Sequence, residues 1–399
     1  MNILIVANFT HNFDKGIVDG RFNYLAEVLV SRGHRVEIVT SDFDHDIKEY
    51  RKAPLQSAYA AKITYVHEPK YNSNVSIKRL WAHYKWGCNV SNYIKNNKPD
   101  IIYCAVPSLT AGVRCANYCK KNGIKFIIDV QDLWPEAFEM AINNPVINMA
   151  FIPIKWYVNH IYKSADIVVA VSDTYCERVL SVNKKTKKGV GVFLGNDGAI
   201  YENERAKAKN CSHESIYLAY IGTLSYSYDI PCVLKALDVF KQTNSTPVKF
   251  IIMGAGPLME QFKDLAVQLG VDCEFTGRLA YEDMVARLLG CDIVINPITK
   301  GSAASIINKV GDYALSGLPV INTQESPEYR HLIEQYHCGI NCKCGDADGV
   351  AKALKQLVGD KQLRELMGEN ARKLGEEKFD RRNSYLRIVS AIENTNKTK

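Results

Sequence analysis

Lys309 and Asp312, an ammonium and a carboxylate three positions apart, stand in the segment from Ser302 to Ile321. An ammonium neutralises an anion and a carboxylate accepts hydroxyl protons, so the pair suits a ligand that joins phosphates to sugar hydroxyls. The small residues from Gly301 to Ser305 precede it, and such a loop lets backbone amides approach an anion closely. A helix is predicted from Ile306, with Ser305 as its N-cap and Gly317 and Pro319 ending it. On that helix Ile306, Ile307, Val310 and Ala314 share one face, while Asn308, Lys309 and Asp312 share the other. The polar face is expected to look into a cleft.

Other chemistry-bearing residues follow apolar, strand-like runs. Gly222 and Thr223 open a hydroxyl-rich turn ending at Asp229, Gly254 and Gly256 flank Ala255, and Arg278 follows Gly277. Earlier in the chain, Asp132 and Glu136 bracket Trp134 and Pro135. Each also has a purely structural use. Gly254 and Gly256 make a tight turn as readily as a phosphate cradle, because two glycines without a third are a weak dinucleotide signal. Asp132 and Glu136 suit solvated loop charges or helix caps. Arg278 suits a surface cation, and Lys309 with Asp312 suits an exposed ion pair contributing about 0.3 kcal/mol.

The elements that must position these residues alternate between strand and helix, the pattern of parallel sheets covered on both faces, so the fold class is α/β. In the first half, strands are predicted at 2–7, 35–40, 100–105, 125–130 and 167–172, with a helix from Phe22 to Arg32 that Gly33 ends. In the second half they are predicted at 215–221, 248–253, 271–276, 292–297 and 320–323. Between the halves, residues 198–214 lose apolar periodicity and gather charge. The expected organisation is therefore a first Rossmann-like domain over 1–197, a linker over 198–214, a second Rossmann-like domain over 215–376 and a C-terminal helix over 377–399, free to pack back on the first domain. Ligands of such sheets bind beyond the C-terminal strand ends, where the loops named above fall.

Composition narrows the class of function. The chain has 399 residues, 47% of them hydrophobic, and a net charge of +7 from 50 basic and 43 acidic side chains. That excess is compatible with anionic ligands and demands no nucleic acid. The apolar run from Ile3 to Ala7 is short and has no basic leader, so it reads as a strand, and no run of about 20 apolar residues marks a membrane span. A cytoplasmic protein is expected. Its twelve cysteines are expected to be reduced and buried, and the spacing of His337, Cys338, Cys342 and Cys344 matches no usual zinc knuckle.

Taken in order, these pieces resemble the large retaining glycosyltransferase family with the two-Rossmann GT-B architecture, in which two doubly wound domains face each other across a cleft. The resemblance spans nearly the whole chain. It rests on Ile3 to Ala7 with Gly20 and Gly33, on Ser164 to Ser172 and on Phe193 to Gly198. In the second half it adds Gly222 to Leu224, Gly254 to Pro257, Phe275 to Arg278, Cys291 to Pro297 and Gly317 to Val320. The element from Asp132 to Glu136 is similar to the branch that assembles capsule, O-antigen or exopolysaccharide. Three positions depart from the family pattern: Ala304 where a first glutamate usually stands, Thr223 in place of a basic residue, and Gln131 in place of a histidine. A Lys that replaces the acidic pair in this branch corresponds to Lys309.

The resemblance implies transfer of a sugar, with retention, from a UDP- or GDP-sugar to a hydroxyl of a lipid-linked saccharide. Lys309 would stabilise the departing diphosphate, and Asp132 and Glu136 would orient the acceptor or sugar hydroxyls. Donor contacts would come from Gly222, Thr223, Gly254, Gly256, Arg278, Ser302, Ser305, Asn308 and Asp312, acceptor contacts from Gly20, Arg21 and Trp134. No cofactor is implied, and the transfer is expected to be metal-independent, since Lys309 would do the electrostatic work at the leaving group. A lipid-linked acceptor implies peripheral contact with the inner membrane face, for which the cations and aromatics of 78–86 and 151–162 are suited, although the same composition equally suits covered core helices. Two rival readings stay open: a nucleotide-sugar 2-epimerase of similar shape, and a non-catalytic homologue.

Overall fold

The structure is a computed structural model that describes residues 1–14, 20–73, 76–136, 149, 151–207, 214–302 and 306–396. The chain forms two compact units, one of Met1–Leu194 with Tyr385–Lys399 and one of Gly195–Ser384. Residues 198–207, within the stretch expected to link two domains, form a helix of the second unit, whereas 208–213 lie outside the described residues.

In the first unit seven parallel strands line up in the order β3-β2-β1-β4-β5-β6-β7. They are β1 (Asn2–Val6), β2 (Arg35–Ser41), β3 (Lys62–Val66), β4 (Ile101–Val106), β5 (Lys125–Val130), β6 (Ile167–Ala170) and β7 (Gly189–Gly191). Side chains of a strand alternate between faces, and here both faces are dry. Leu4 and Val6 pack into one core with Trp86, Val90 and Ile161, while Ile3 and Ile5 enter another with Leu25, Leu29 and Ile388. The helices lining these two cores are α1 (Arg21–Ser31), α2 (Ile77–Asn97), α3 (Leu109–Asn122), α4 (Ile152–Ser164) and, before β7, α5 (Asp173–Leu180). A C-terminal helix, Leu386–Glu393, completes the second layer, and Arg32 clasps its Glu393 at 2.8 Å.

The second unit repeats the plan with six parallel strands in the order β10-β9-β8-β11-β12-β13. These are β8 (Ile216–Ile221), β9 (Val248–Met253), β10 (Cys273–Gly277), β11 (Ile293–Asn296), β12 (Val320–Asn322) and β13 (Gly339–Asn341). Helices α6 (Gly198–Lys207), α7 (Ile230–Thr243), α8 (Met259–Leu269), α9 (Tyr281–Leu289) and α10 (Lys309–Ser316) come before β12 in the chain. All strands of a sheet run one way, so the loops leaving β8, β9, β10 and β11 emerge on a single edge.

Two expectations change here. β3, β7 and β13 were not among the predicted strands, and each is an outermost strand. The helix expected from Ile306 begins at Lys309, its N-cap position is Asn308 with no side-chain cap, and the expected cap Ser305 lies outside the described residues.

A saturated ion pair fixes the centre of the first unit. Arg21, at the start of α1, gives its Nε to Asp129 Oδ2 at 2.7 Å and a terminal nitrogen to Oδ1 at 3.1 Å. Its other terminal nitrogen donates to the carbonyls of Val192 at 2.8 Å and Phe193 at 3.3 Å. Asp129 also accepts from Tyr103 at 2.6 Å and from Gln131 at 2.7 Å. Both charges are buried, so each depends on the other to offset desolvation. Arg21→Ala should therefore lower stability by about 3 to 5 kcal/mol in urea denaturation followed by circular dichroism, and Arg21→Met with Asp129→Leu should recover part of that loss.

Candidate functional site

Two glycine loops at the C-terminal edge of the second sheet lie directly on each other. The amide of Gly222 bonds the carbonyl of Met253 at 3.0 Å, and the amide of Leu224 bonds that of Ala255 at 3.1 Å. A Cβ on Gly254, whose φ is 155°, would overlap the carbonyl of Gly222, and one on Gly256 would overlap that of Leu224. A Cβ on Gly222, at φ 131°, would strike the ammonium of Lys309. The three glycines are thus a condition of close approach between both loops and Lys309.

Lys309 opens helix α10 and is only 8% exposed. Among the described residues its ammonium has no hydrogen-bond partner, and it rests against two aromatic faces, 3.7 Å from the centroid of Tyr228 and 4.1 Å from that of Tyr220. Those rings meet edge to face at 5.7 Å, and Tyr220 donates its hydroxyl to the Thr223 carbonyl at 2.8 Å. Cation–π attraction recovers part of the lost hydration. Even so, burial drives the Lys309 pKa well below the ordinary lysine value, against the raising influence of Asp312.

Asp312, one turn along, is buried like the rest of α10. Its Oδ1 accepts from Asn196 at 2.6 Å, Tyr201 at 2.6 Å and Tyr281 at 2.8 Å. Burial pushes its pKa up to about 6, although these donors and the charges of Arg381 and Lys309 pull it down. The polar face expected to be open is thus covered, and Lys309 and Asp312 are far from the exposed ion pair that spacing alone allowed. Thr223, Arg278, Ser302 and Asn308 are exposed on loops of the same sheet edge or at the start of α10. Arg278 follows Gly277, which bridges to Gly254 and so ties a third loop to the pair. Ala304 and Ser305 lie outside the described residues.

The first-unit residues divide differently. Asp132 is exposed, with a pKa raised by partial desolvation. Glu136 is held through Oε1 by Arg178 Nε at 2.6 Å, while its Oε2 is buried without a partner among the described residues. Trp134, partly buried before a cis peptide to Pro135, lies 6.0 Å from the guanidinium of Arg79. Gly20, at φ 86°, packs against the ring of His11 just before α1. Arg21, expected at the acceptor, is instead buried in its pair with Asp129.

Sequence reading missed Tyr220, Tyr228, Asn196, Tyr201, Tyr281 and Asp129. Asp129 left a signal as a lone carboxylate inside the apolar run from Phe126 to Val130, and Asn196 and Tyr228 stood within the segments 193–198 and 222–229 without a role of their own. The others lie at sequence separations of 31 to 116 from Asp312, or around an ammonium that nothing in the linear order links to them.

Comparison with known proteins agrees with this architecture. The family model for glycosyltransferase family 4 matches residues 21–187, and that for glycosyl transferases group 1 matches residues 202–374. An uncharacterised glycosyltransferase of Methanocaldococcus jannaschii is 25% identical over 242 residues, 59% of this chain and 60% of that protein. The N-acetyl-alpha-D-glucosaminyl L-malate synthase of Bacillus anthracis is 24% identical over 366 residues, 89% of this chain and 88% of its own. Among solved structures, Anabaena HepE in complex with UDP superposes with a TM-score of 0.68 at 18% identity, over 98% of this chain and 100% of its own.

With Lys309 replaced by Met, which keeps the aromatic contacts and removes the buried charge, the empty protein should gain about 1 to 3 kcal/mol at pH 7. The sign follows from linkage. A lysine whose folded pKa is depressed penalises folding wherever the unfolded chain is protonated, so the difference between variant and wild type should shrink as pH climbs from 7 toward 10.5. Melting curves over that range check both statements.

Proposed function

We propose that this chain, a glycosyltransferase of the family 4-like kind with the GT-B fold, uses its second unit to bind a nucleoside diphosphate sugar and passes the sugar, with retention, to a hydroxyl of a lipid-linked saccharide. The observation that carries this reading is the buried, unpaired ammonium of Lys309 beneath the loops of Gly222 and Gly254. HepE, which shares the fold, was solved with UDP and also with UDP-glucose, which favours the same ligand class here.

As the bond from anomeric carbon to phosphate oxygen breaks, negative charge grows on the diphosphate and positive charge on the sugar. An ammonium already stripped of water and held in place needs no reorganisation to meet that charge. Lys309 supplies the cation, the amides at the start of α10 add the positive end of a helix dipole, and Asp312 stands one turn away for hydroxyls. Arg278, exposed beside Gly277, is assigned to the nucleotide. On this reading the transfer is metal-independent, because Lys309, held protonated once a diphosphate lies beside it, supplies the positive charge at the leaving group. Asp132, Glu136 and Trp134 are assigned to the acceptor. In retention the departing phosphate takes the proton of the incoming hydroxyl, so no separate base is required.

A membrane-borne acceptor fits the surface of the first unit. Helices α2, α3 and α4 contain Lys and Arg but no Asp or Glu. On α2 and α4 the exposed large side chains include Ile77, Leu80, Trp81, Ile152 and Trp156, the last 81% exposed. Basic charge with interfacial aromatics suits an anionic bilayer surface. Among the described residues no helix is long and apolar enough to cross a membrane. We assign the chain to the inner face of a bacterial membrane, in surface polysaccharide assembly.

Saturating UDP or GDP, or their sugars, should raise the melting temperature of the wild type; protection corresponds to about 2.7 kcal/mol at a hundredfold excess over Kd. No shift with any of them sinks the proposal. Lys309→Ala should retain the fold and lose about a hundredfold in transfer rate, corresponding to roughly 3 kcal/mol of barrier. Vesicles containing phosphatidylglycerol should co-sediment the wild type in low salt and release the Trp81→Ala, Trp156→Ala double variant; equal binding to pure phosphatidylcholine would contradict the electrostatic part.

A further inference from the structure

The surroundings of Lys309 hold its nitrogen without sharing its charge. Tyr220 and Tyr228 cover it with ring faces at 4.1 and 3.7 Å, yet neither hydroxyl bonds it, and that of Tyr220 donates instead to the Thr223 carbonyl. Tyr313, one turn along α10, turns its hydroxyl to the Ile221 amide, from which it accepts at 3.2 Å. Burial raises the pKa of all three tyrosines, so each stays a neutral hydroxyl. The carboxylate that acts on Lys309 is Asp312, whose Oδ1 is taken by Asn196, Tyr201 and Tyr281 and whose charge also feels Arg381. Among the described residues no acceptor reaches the lysine nitrogen.

An amine so placed holds its proton poorly. Charge in a dry site is stabilised by an acceptor or a counter-ion, and Lys309 has ring faces alone, which recover only part of the lost hydration. A diphosphate supplies both missing elements, since its oxygens accept hydrogen bonds and carry negative charge. The way in is at Gly222. A Cβ there would stand 2.5 Å from Nζ and 3.3 Å from the Tyr220 hydroxyl oxygen, so the nitrogen fills the space that a side chain of this partly exposed loop residue would take. It lies one side chain's depth below the loop, on a flexible aliphatic stem.

We propose that Tyr220 and Tyr228 are positioning residues that hold Lys309 without neutralising it, so that binding of a nucleoside diphosphate draws one proton from solvent onto this lysine. This rests on the reading of Lys309 as the cation for the departing diphosphate. The nitrogen lone pair takes the proton from a buffer acid, one N–H bond forms, and the buffer base stays in solution. Asp312, with its pKa pushed up to about 6, is ionised above neutral pH and neither gives nor takes a proton there. When the diphosphate leaves, the proton returns to solvent.

The test uses the full-length chain and UDP or GDP, whichever raises the melting temperature. Binding heats are measured in buffers of different ionisation enthalpy, between about pH 7.5 and 9, where the nucleotide's own phosphate, with a second pKa of about 6, is ionised. The wild type should take up close to one proton per nucleotide at the upper end, and its Kd should rise by up to about tenfold per pH unit, because the empty site then lacks the proton that the complex needs. K309M should take up almost none and bind with a flat pH profile. Y228F keeps the ring and should keep the uptake, whereas Y228Q sets an amide acceptor beside the nitrogen and should cut the uptake by half or more. Wild-type binding without proton uptake overturns the proposal, as does equal uptake by K309M or by Y228Q. If neither nucleotide binds, the donor reading fails by itself, and carbon-13 NMR of labelled lysines decides the coupling. The signal missing from K309M should become neutral by about pH 9 in the empty protein and regain its charge with inorganic pyrophosphate. A signal charged throughout, or one that pyrophosphate leaves neutral, overturns it.

Discussion

A positive charge buried without a counter-ion is the constraint around which the second unit is arranged. The ammonium of Lys309 has left water for two tyrosine rings, and among the described residues no carboxylate bonds it. A side chain on Gly222, whose φ is 131°, would push the ammonium aside, and Gly254 must lack one so that the neighbouring loop can lie against Gly222. Asp312, the nearest carboxylate in the helix, is occupied by Asn196, Tyr201 and Tyr281 and is held away from neutralising the lysine. A diphosphate, the ligand proposed for this unit, is a chemical group that would relieve this local instability.

The two units show how buried polar groups can be sorted by whether their bonds are complete. Arg21 and Asp129 are as buried as any charges in the chain, yet both are saturated by Val192, Phe193, Tyr103, Gln131 and each other. Such a cluster fixes the packing of α1 on the sheet and has little left to offer a ligand. Lys309 is buried and, among the described residues, its ammonium is incomplete. An incomplete group in a dry site is expensive, so it marks a place where the missing partner comes from outside. By this criterion Arg21 moves from the acceptor site to the scaffold.

What could be read along the chain was whatever depended on periodicity. The central strands β1, β4, β5, β8, β9 and β11 are continuous apolar runs because both sheet faces are covered, so their positions were plain. The outermost strands β3, β7 and β13 are short or mixed, with one side unpaired, and their polar residues hid them among loops. The start of α10 was misjudged because Ile306 and Ile307 carry helical spacing without a helix. The glycine loops were visible as candidates, since a glycine after a strand is a local signal, but not that Gly222, Gly254 and Lys309 touch.

By itself the sequence determined the α/β class, two parallel sheets in succession and the loops that would carry chemistry, because each follows from residue type and local spacing. It also singled out Lys309 and Asp312 as a cation and an acid of interest. Only the tertiary structure decided their states, since burial, hydrogen-bond completion and the surrounding charges are set by residues distant in sequence, and these determine whether an ionisable side chain is a surface ion pair, a structural clasp or an unsatisfied group awaiting a ligand.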